Sequence, residues 1–413
     1  MSDTSEQDER SRRRSPWGTI VVVYLGGVVA AMGLGKFASI GPAVAAELSL
    51  SLSQLGWVMS AVVGVGAVAG LPAGYLIRRY GAKRSLVTGL GLIAAASVAG
   101  VMTGDFTSLL VTRGVEGVGY LLVSISCPAL IIRLAAGRDL GAALSLWATF
   151  VPVGLGASTL AGGALGSALG WRGWIALIAG LTFAMALVVR ARLPHGPTGQ
   201  AATGPVPRAR ALTWPAVLAS SFCLSALTTI PVIVLLPTLL VEQYGRSAAA
   251  AGALTSAVSL LGVLGGLAVG VLLRRGAPVG VLALFGLLVV PAAWLVYGGG
   301  ASQATVLAGA GIISIENGFL AALVFAALPL VLERLDHADV GNGVVAQAGS
   351  AGSLLGPPLF GAVAAGAGFP ALVPVIAAGI VVSVGALLLA GRRCRSTGGP
   401  AGRTEDGVSA GHR

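Results

Sequence analysis

Gly74–Leu86 reads GYLIRRYGAKRSL: four cations, Arg78, Arg79, Lys83 and Arg84, crowded between two long apolar runs. The chain around them is 55% hydrophobic and 10% charged over 413 residues, with 63 glycines and 20 prolines. Its 26 Lys and Arg and 15 Asp and Glu are too few to cover a soluble domain of that size. Apolar runs of about 20 residues instead match a hydrocarbon core about 30 Å thick. Only helices suit them, because each backbone amide inside lipid must bond within its own segment. The net charge of +11 does not mark a nucleic-acid binder, since the cations lie between apolar runs rather than on one soluble face. Cys127, Cys223 and Cys394 form neither a metal-ligand spacing nor a paired framework, and no metal or cofactor is expected.

The expected architecture is an all-α membrane protein of twelve transmembrane helices. The first six spans are placed at 17–45, 54–77, 85–103, 107–133, 142–166 and 171–190. The second six are placed at 214–241, 248–273, 278–298, 303–331, 341–365 and 369–390. This divides the chain into an N-terminal tail 1–16, a six-helix bundle 17–190, a Pro- and Gly-rich linker 191–213, a second bundle 214–390 and a tail 391–413. The polar start lacks a small-residue cleavage site before the first span and reads as a tail rather than a removed signal peptide. Of the 26 cations, all but Lys36, Arg113, Arg172 and Arg246 fall in the tails, the linker or the loops on the same side. The positive-inside rule then places both termini in the cytoplasm of a cell whose inner membrane holds the protein.

The two bundles echo each other at an offset of 196 to 198 residues. Trp17 matches Trp214, Gly56 matches Gly252, Gly74-Tyr-Leu-Ile-Arg-Arg matches Gly270-Val-Leu-Leu-Arg-Arg, Gly154 matches Gly352, and Gly170 matches Gly368. Two pseudo-symmetric halves joined by a linker form the arrangement in which one half rocks against the other around a midplane site. The pattern Gly74-x-Leu76-x-x-Arg79-x-Gly81-x-Lys83-x-x-Leu86 resembles the loop signature of the major facilitator superfamily. Arg113-x-x-x-Gly117-x-Gly119 resembles its second signature, and Gly170-Trp171-Arg172 the usual entry to its sixth helix. More loosely, the chain resembles the branch for small anions such as cyanate and nitrate. The resemblance implies a gating loop at Gly74, Arg78, Arg79, Gly81 and Lys83. Arg78 stands where the family usually has Asp, so an acidic latch is missing or comes from another place.

A charge deep in lipid is costly and faces protein or water. Four remain once topology is assigned: Lys36, Arg113, Glu116 and Glu316. Lys36, two-thirds along the first span, reads as a cation that lines the cavity, with snorkelling to the membrane surface as the alternative. Arg113 and Glu116, three residues apart, share a helix face and can pair, or Glu116 can exchange protons. Glu316, mid-span beside Asn317, reads as a proton carrier or as the partner of a cation in the other half, Lys36 above all. Trp147 and Phe150 are expected against lipid or a neighbouring helix more than in a cavity.

These readings point to a monomeric secondary transporter that takes up a small solute, an anion on the looser resemblance, by alternating access, with protons as coupling ion. Proton-driven efflux of drugs or metabolites is the second reading. In the fifth span, GLGASTLAGGAL is suggestive of an exporter signature, yet Ser158 and Thr159 depart from it. No GxxxxGK[ST] loop provides for ATP. The spans lack the clustered nucleophile, metal or acid–base set of an intramembrane enzyme.

Overall fold

The capping residues set where the helices begin. In the computed structural model, which describes residues 15–193 and 204–396, Ser51, Asp105, Ser247 and Ser302 each accept a backbone N–H of the first turn that follows. Capping of this kind satisfies donors that the helix itself leaves free. Residues 1–14, 194–203 and 397–413, which hold most of the expected tails and linker with His195 and His412, lie outside the described residues.

The described residues are helix and turn throughout, without a strand. Ten helical stretches are long and apolar enough to cross a membrane. The first four are α1 (Trp17–Glu47, broken at Lys36), α2 (Leu52–Tyr80), α3 (Ala82–Val101) and α4 (Phe106–Leu134). Gly137–Arg192 is one of the ten but makes two crossings, α5 (137–169) and α6 (171–192), because Gly170 leaves helical geometry at φ 70°, ψ 168°. The others are α7 (Thr213–Tyr244), α8 (Ala248–Leu260 continued by Gly262–Arg274), α9 (Val279–Tyr297), α10 (Gln303–Val331) and α12 (Leu372–Ser396). The 30-residue α11 (Ala338–Ala367), which is not among those ten, supplies the twelfth crossing and runs unbroken through Pro357 and Pro358. The helix ends differ from the sequence expectation by a few residues, as at Tyr80, Gly137 and Tyr244.

The repeat survives in the backbone. Gly368, the counterpart of Gly170, opens the turn into α12 at φ 78°, ψ 167°. A side chain at either glycine would strain the turn.

Twelve crossings put Trp17 and Ser396 on one face, called here the terminal face; the opposite one is the far face. The seam between α1–α6 and α7–α12 is built by α2 on α11 and α5 on α8. On the terminal side α11 is buried all round from Ala338 to Gly343, whereas farther out it buries a single stripe, Gly352, Gly356 and Phe360. In α2 only Val58 and Val62 are buried between 53 and 65, whereas Gly66, Gly70, Ala73, Gly74, Ile77 and Arg78 are buried nearer the terminal face. The seam is therefore closed from the terminal face to mid-depth and parted beyond.

Closure depends on backbone approaching backbone. A Cβ at Gly74 would lie 2.9 Å from the Asp339 carbonyl and 3.0 Å from the Val340 Cα, both in α11. We predict that Gly74→Leu leaves the protein inserted and folded but abolishes transport, and that a cysteine at Ala73 becomes labelled from the terminal face. Wild-type transport in that variant would contradict the role given to this contact.

Candidate functional site

The charges that the sequence leaves inside the membrane gather at two places. The first is in the far third of α1–α6. Arg113 and Glu116, one turn apart on α4, form an ion pair, and Glu116 forms a second with Lys36 at the break of α1. Lys36 Nζ donates to Ser97 Oγ of α3 at 2.8 Å, and Ser97 Oγ donates to Glu116 Oε1 at 2.7 Å. The Arg113 guanidinium also donates to the carbonyls of Gly33 and Leu34, each at 3.2 Å, and of Val58 at 3.0 Å. It thus caps the carbonyl end of the first half of α1, which the break would otherwise leave unpaired. Trp174 of α6 donates to the Lys36 carbonyl at 3.1 Å. All three ionic side chains are 1–3% exposed.

With Glu116 paired to it, Lys36 therefore neither snorkels nor faces an open cavity; in this state it turns into its own bundle. The expected pair of Lys36 with Glu316 is not formed, because Glu116 takes the Lys36 charge within α1–α6. Glu316 lies at mid-depth on α10, buried, with Oε2 lacking a hydrogen-bond partner among the described residues. It stands one turn from Leu320, which meets Gly286, and two turns from Gly309, which packs on Ala292 and Val296. That side of α10 faces α9. Asn317 turns toward α7 instead, where Thr229 Oγ1 donates to its Oδ1 at 2.8 Å. Trp147 and Phe150 stack at 4.0 Å between centroids and are buried against a neighbouring helix at Gly27.

The second place is the terminal end of the seam. Arg78 donates to the backbone carbonyls of Gly204 at 2.7 Å, Pro205 at 2.8 Å and Asp336, and lies 3.5 Å from the Asp336 carboxylate. The latch that Arg78 lacks in its own loop is thus supplied with reversed polarity from the α10–α11 turn. Burial pushes the Asp336 carboxyl up, but the Arg334 hydrogen bond and the charges of Arg334 and Arg78 hold it below the usual carboxylate range. A depressed pKa stabilises above the unfolded value and fails only as pH falls through the folded one, so this pair persists at every pH above about 4. Arg133, which the sequence assigns to topology alone, forms a deeper ion pair with Asp339 of α11 across the seam. Gln347 of α11 accepts the Leu71 N–H of α2 at 2.8 Å. Of the rest of the expected gating loop, Lys83 donates to the Leu193 carbonyl, Gly81 turns the chain at φ 93°, and Arg79 rests beside Tyr80. Sequence reading missed Ser97, Asp336, Asp339 and Gln347. The acidic pair in RLDHADV was the one signal available, since lone Ser and Gln residues in apolar runs carry none.

Comparison with known proteins fixes the family. The model of the Major Facilitator Superfamily matches residues 23–357. The chain belongs to this superfamily. It is 29% identical to the 3-(3-hydroxy-phenyl)propionate transporter of Escherichia coli over 85% of this chain and 88% of that protein. It is 30% identical to the uncharacterized MFS-type transporter Rv1250 of Mycobacterium tuberculosis over 45% of the chain, and spans about a third of that relative's length, 32%. The human organic anion transporter MFSD10 shares the fold with a TM-score of 0.73 at 16% identity, over 89% of this chain and 98% of that one. More distant relatives include a galactose-proton symporter and a multidrug efflux protein.

Removing one partner of a buried pair leaves a charge stranded at a cost of about 3–5 kcal/mol. We predict that Arg133→Gln and Asp339→Asn each open the terminal face, read as faster labelling of a cysteine at Ala73. Their effects should couple by about 1 kcal/mol or more in a double-mutant cycle. Strictly additive effects would contradict the latch.

Proposed function

We propose that this superfamily member carries a small organic anion across the cytoplasmic membrane together with protons, by rocking bundle 17–190 against bundle 214–390. The observation that carries this reading is the buried cluster of Lys36, Arg113 and Glu116, in which two fixed cations share one carboxylate. Such a cluster holds a net positive charge away from water, where anions are attracted and where a proton on Glu116 changes the balance. The relative that transports 3-(3-hydroxy-phenyl)propionate favours an organic carboxylate over inorganic anions such as cyanate or nitrate. The basic terminal face supports a cytoplasmic location for both ends. The parted seam then opens to the outside, the state in which an importer receives its solute.

Efflux in exchange for protons is the second reading, supported by the drug-efflux relative and by the close contact of Gly154 in α5 with Ala31 in α1. The two differ in the direction of flux under one gradient. In proteoliposomes with an acidic exterior we predict accumulation of 3-(3-hydroxyphenyl)propionate inside, approaching about tenfold per pH unit for one coupled proton. Absence of gradient-driven accumulation, with extrusion of cationic drugs instead, would overturn the uptake reading.

A further inference from the structure

We propose that Glu116 is a built-in stand-in for the carboxylate of the transported solute, held between Lys36 and Arg113 and displaced from them when it takes up a proton. This rests on the reading of the chain as a proton-linked carrier of organic anions. It adds the chemistry of the site: a monocarboxylate, bound by Lys36 and Arg113, with Glu116 as its internal competitor.

Three observations carry it. Both oxygens of Glu116 are engaged: Oε1 accepts from Lys36 and Ser97, and Oε2 accepts from Arg113. This is how a carboxylate ligand is bound by a prepared pair of cations, with charge-assisted donors at both ends. Next, the cluster carries two cations against one anion in a buried setting, so it has unused capacity for negative charge. The carbonyls of Gly33, Leu34 and Val58 offset this only as dipoles. Last, the cluster lies toward the open side. Leu121, five residues on from Glu116, meets the closed seam near Gly66, which puts the cluster about 8 Å farther toward the far face. The outer piece of α1, Phe37–Glu47, packs there with Val58, Leu109, Trp171 and Trp174 in one buried apolar cluster, and the Phe37 ring lies 4.9 Å from the Arg113 guanidinium. That piece begins at the break beside Lys36, where the helix can hinge.

The groups that face Glu116 are Lys36 from α1, Ser97 from α3 and Arg113 from α4. From α2 the Val58 carbonyl reaches the cluster through Arg113, and from α6 Trp174 reaches it through the Lys36 carbonyl. The proton balance is simple. One proton from the far-side solution joins a Glu116 oxygen, and the solute carboxylate takes over the donors of Lys36 and Arg113. One proton and one monoanion cross together, and no net charge moves.

The test is equilibrium binding of propionate and of 3-(3-hydroxyphenyl)propionate to the purified full chain at pH 5.5 and pH 8. In the wild type the affinity should rise with falling pH by up to about tenfold per unit, as one linked proton requires. Glu116→Gln, a permanent mimic of the protonated acid, should bind at pH 8 at least as tightly as the wild type does at pH 5.5 and lose the pH dependence. Lys36→Met combined with Glu116→Gln should lose at least tenfold in affinity, whereas Lys36→Arg, which keeps the charge and controls for folding, should retain binding. Carboxylate binding that ignores pH in the wild type overturns the proposal. So does Glu116→Gln binding no tighter than wild type at pH 8, or failure of both carboxylates to bind. Binding as expected without gradient-driven uptake would instead refute the transport reading and leave the site standing.

Discussion

The structure turns on the cost of a charge inside lipid. A carboxylate or an ammonium group taken out of water loses several kcal/mol, and recovers it only where a partner and further hydrogen bonds are in place. Glu116 is where this chain meets the condition: one carboxylate serves Lys36 and Arg113 while Ser97 completes its shell. The same cluster fixes the bundle. Arg113 ties α4 to the carbonyls of α1 and α2, and the break in α1 exists where those carbonyls find a donor. Anything that changes the charge on Glu116 therefore changes how α1, α3 and α4 hold together, which is the property a coupling site requires.

The seam obeys a different rule. Helices in lipid gain nothing from burying apolar surface against each other, so they associate through close packing and polar contacts. Gly66, Gly70 and Gly74 let α2 approach α11, and Arg78 with Asp336 and Arg133 with Asp339 bind the ends that meet. These pairs lie at the terminal face, where water can reach them once the halves part. They can thus be broken at lower cost than the cluster around Glu116.

Much of the fold was legible in the sequence because lipid imposes it. Span lengths, the cation distribution and the repeat follow from bilayer thickness, topology and duplication, and Gly170 with Gly368 show the repeat again in their backbone angles. The candidate site was legible in part. Lys36, Arg113 and Glu116 stand out as charges in apolar runs, and the three-residue spacing of Arg113 and Glu116 announces their pairing. Which way Lys36 points depends on how α1, α3 and α4 pack, and helical periodicity within one span does not encode that. The same limit suggested Lys36 as a partner for Glu316, which stands instead on the side of α10 that faces α9. Arg78 departs from its family's pattern, and its partner Asp336 is distant in sequence, so only the folded chain brings them together.

The central claim is that Glu116 gains a proton when a carboxylate binds to the cations it releases. The most direct measurement is calorimetry of propionate binding near neutral pH in two buffers of different ionisation enthalpy, which counts protons exchanged with solvent. The account predicts uptake of about one proton per carboxylate in the wild type, and none in Glu116→Gln. Binding with no proton uptake in the wild type, or the same uptake in the variant, would contradict it.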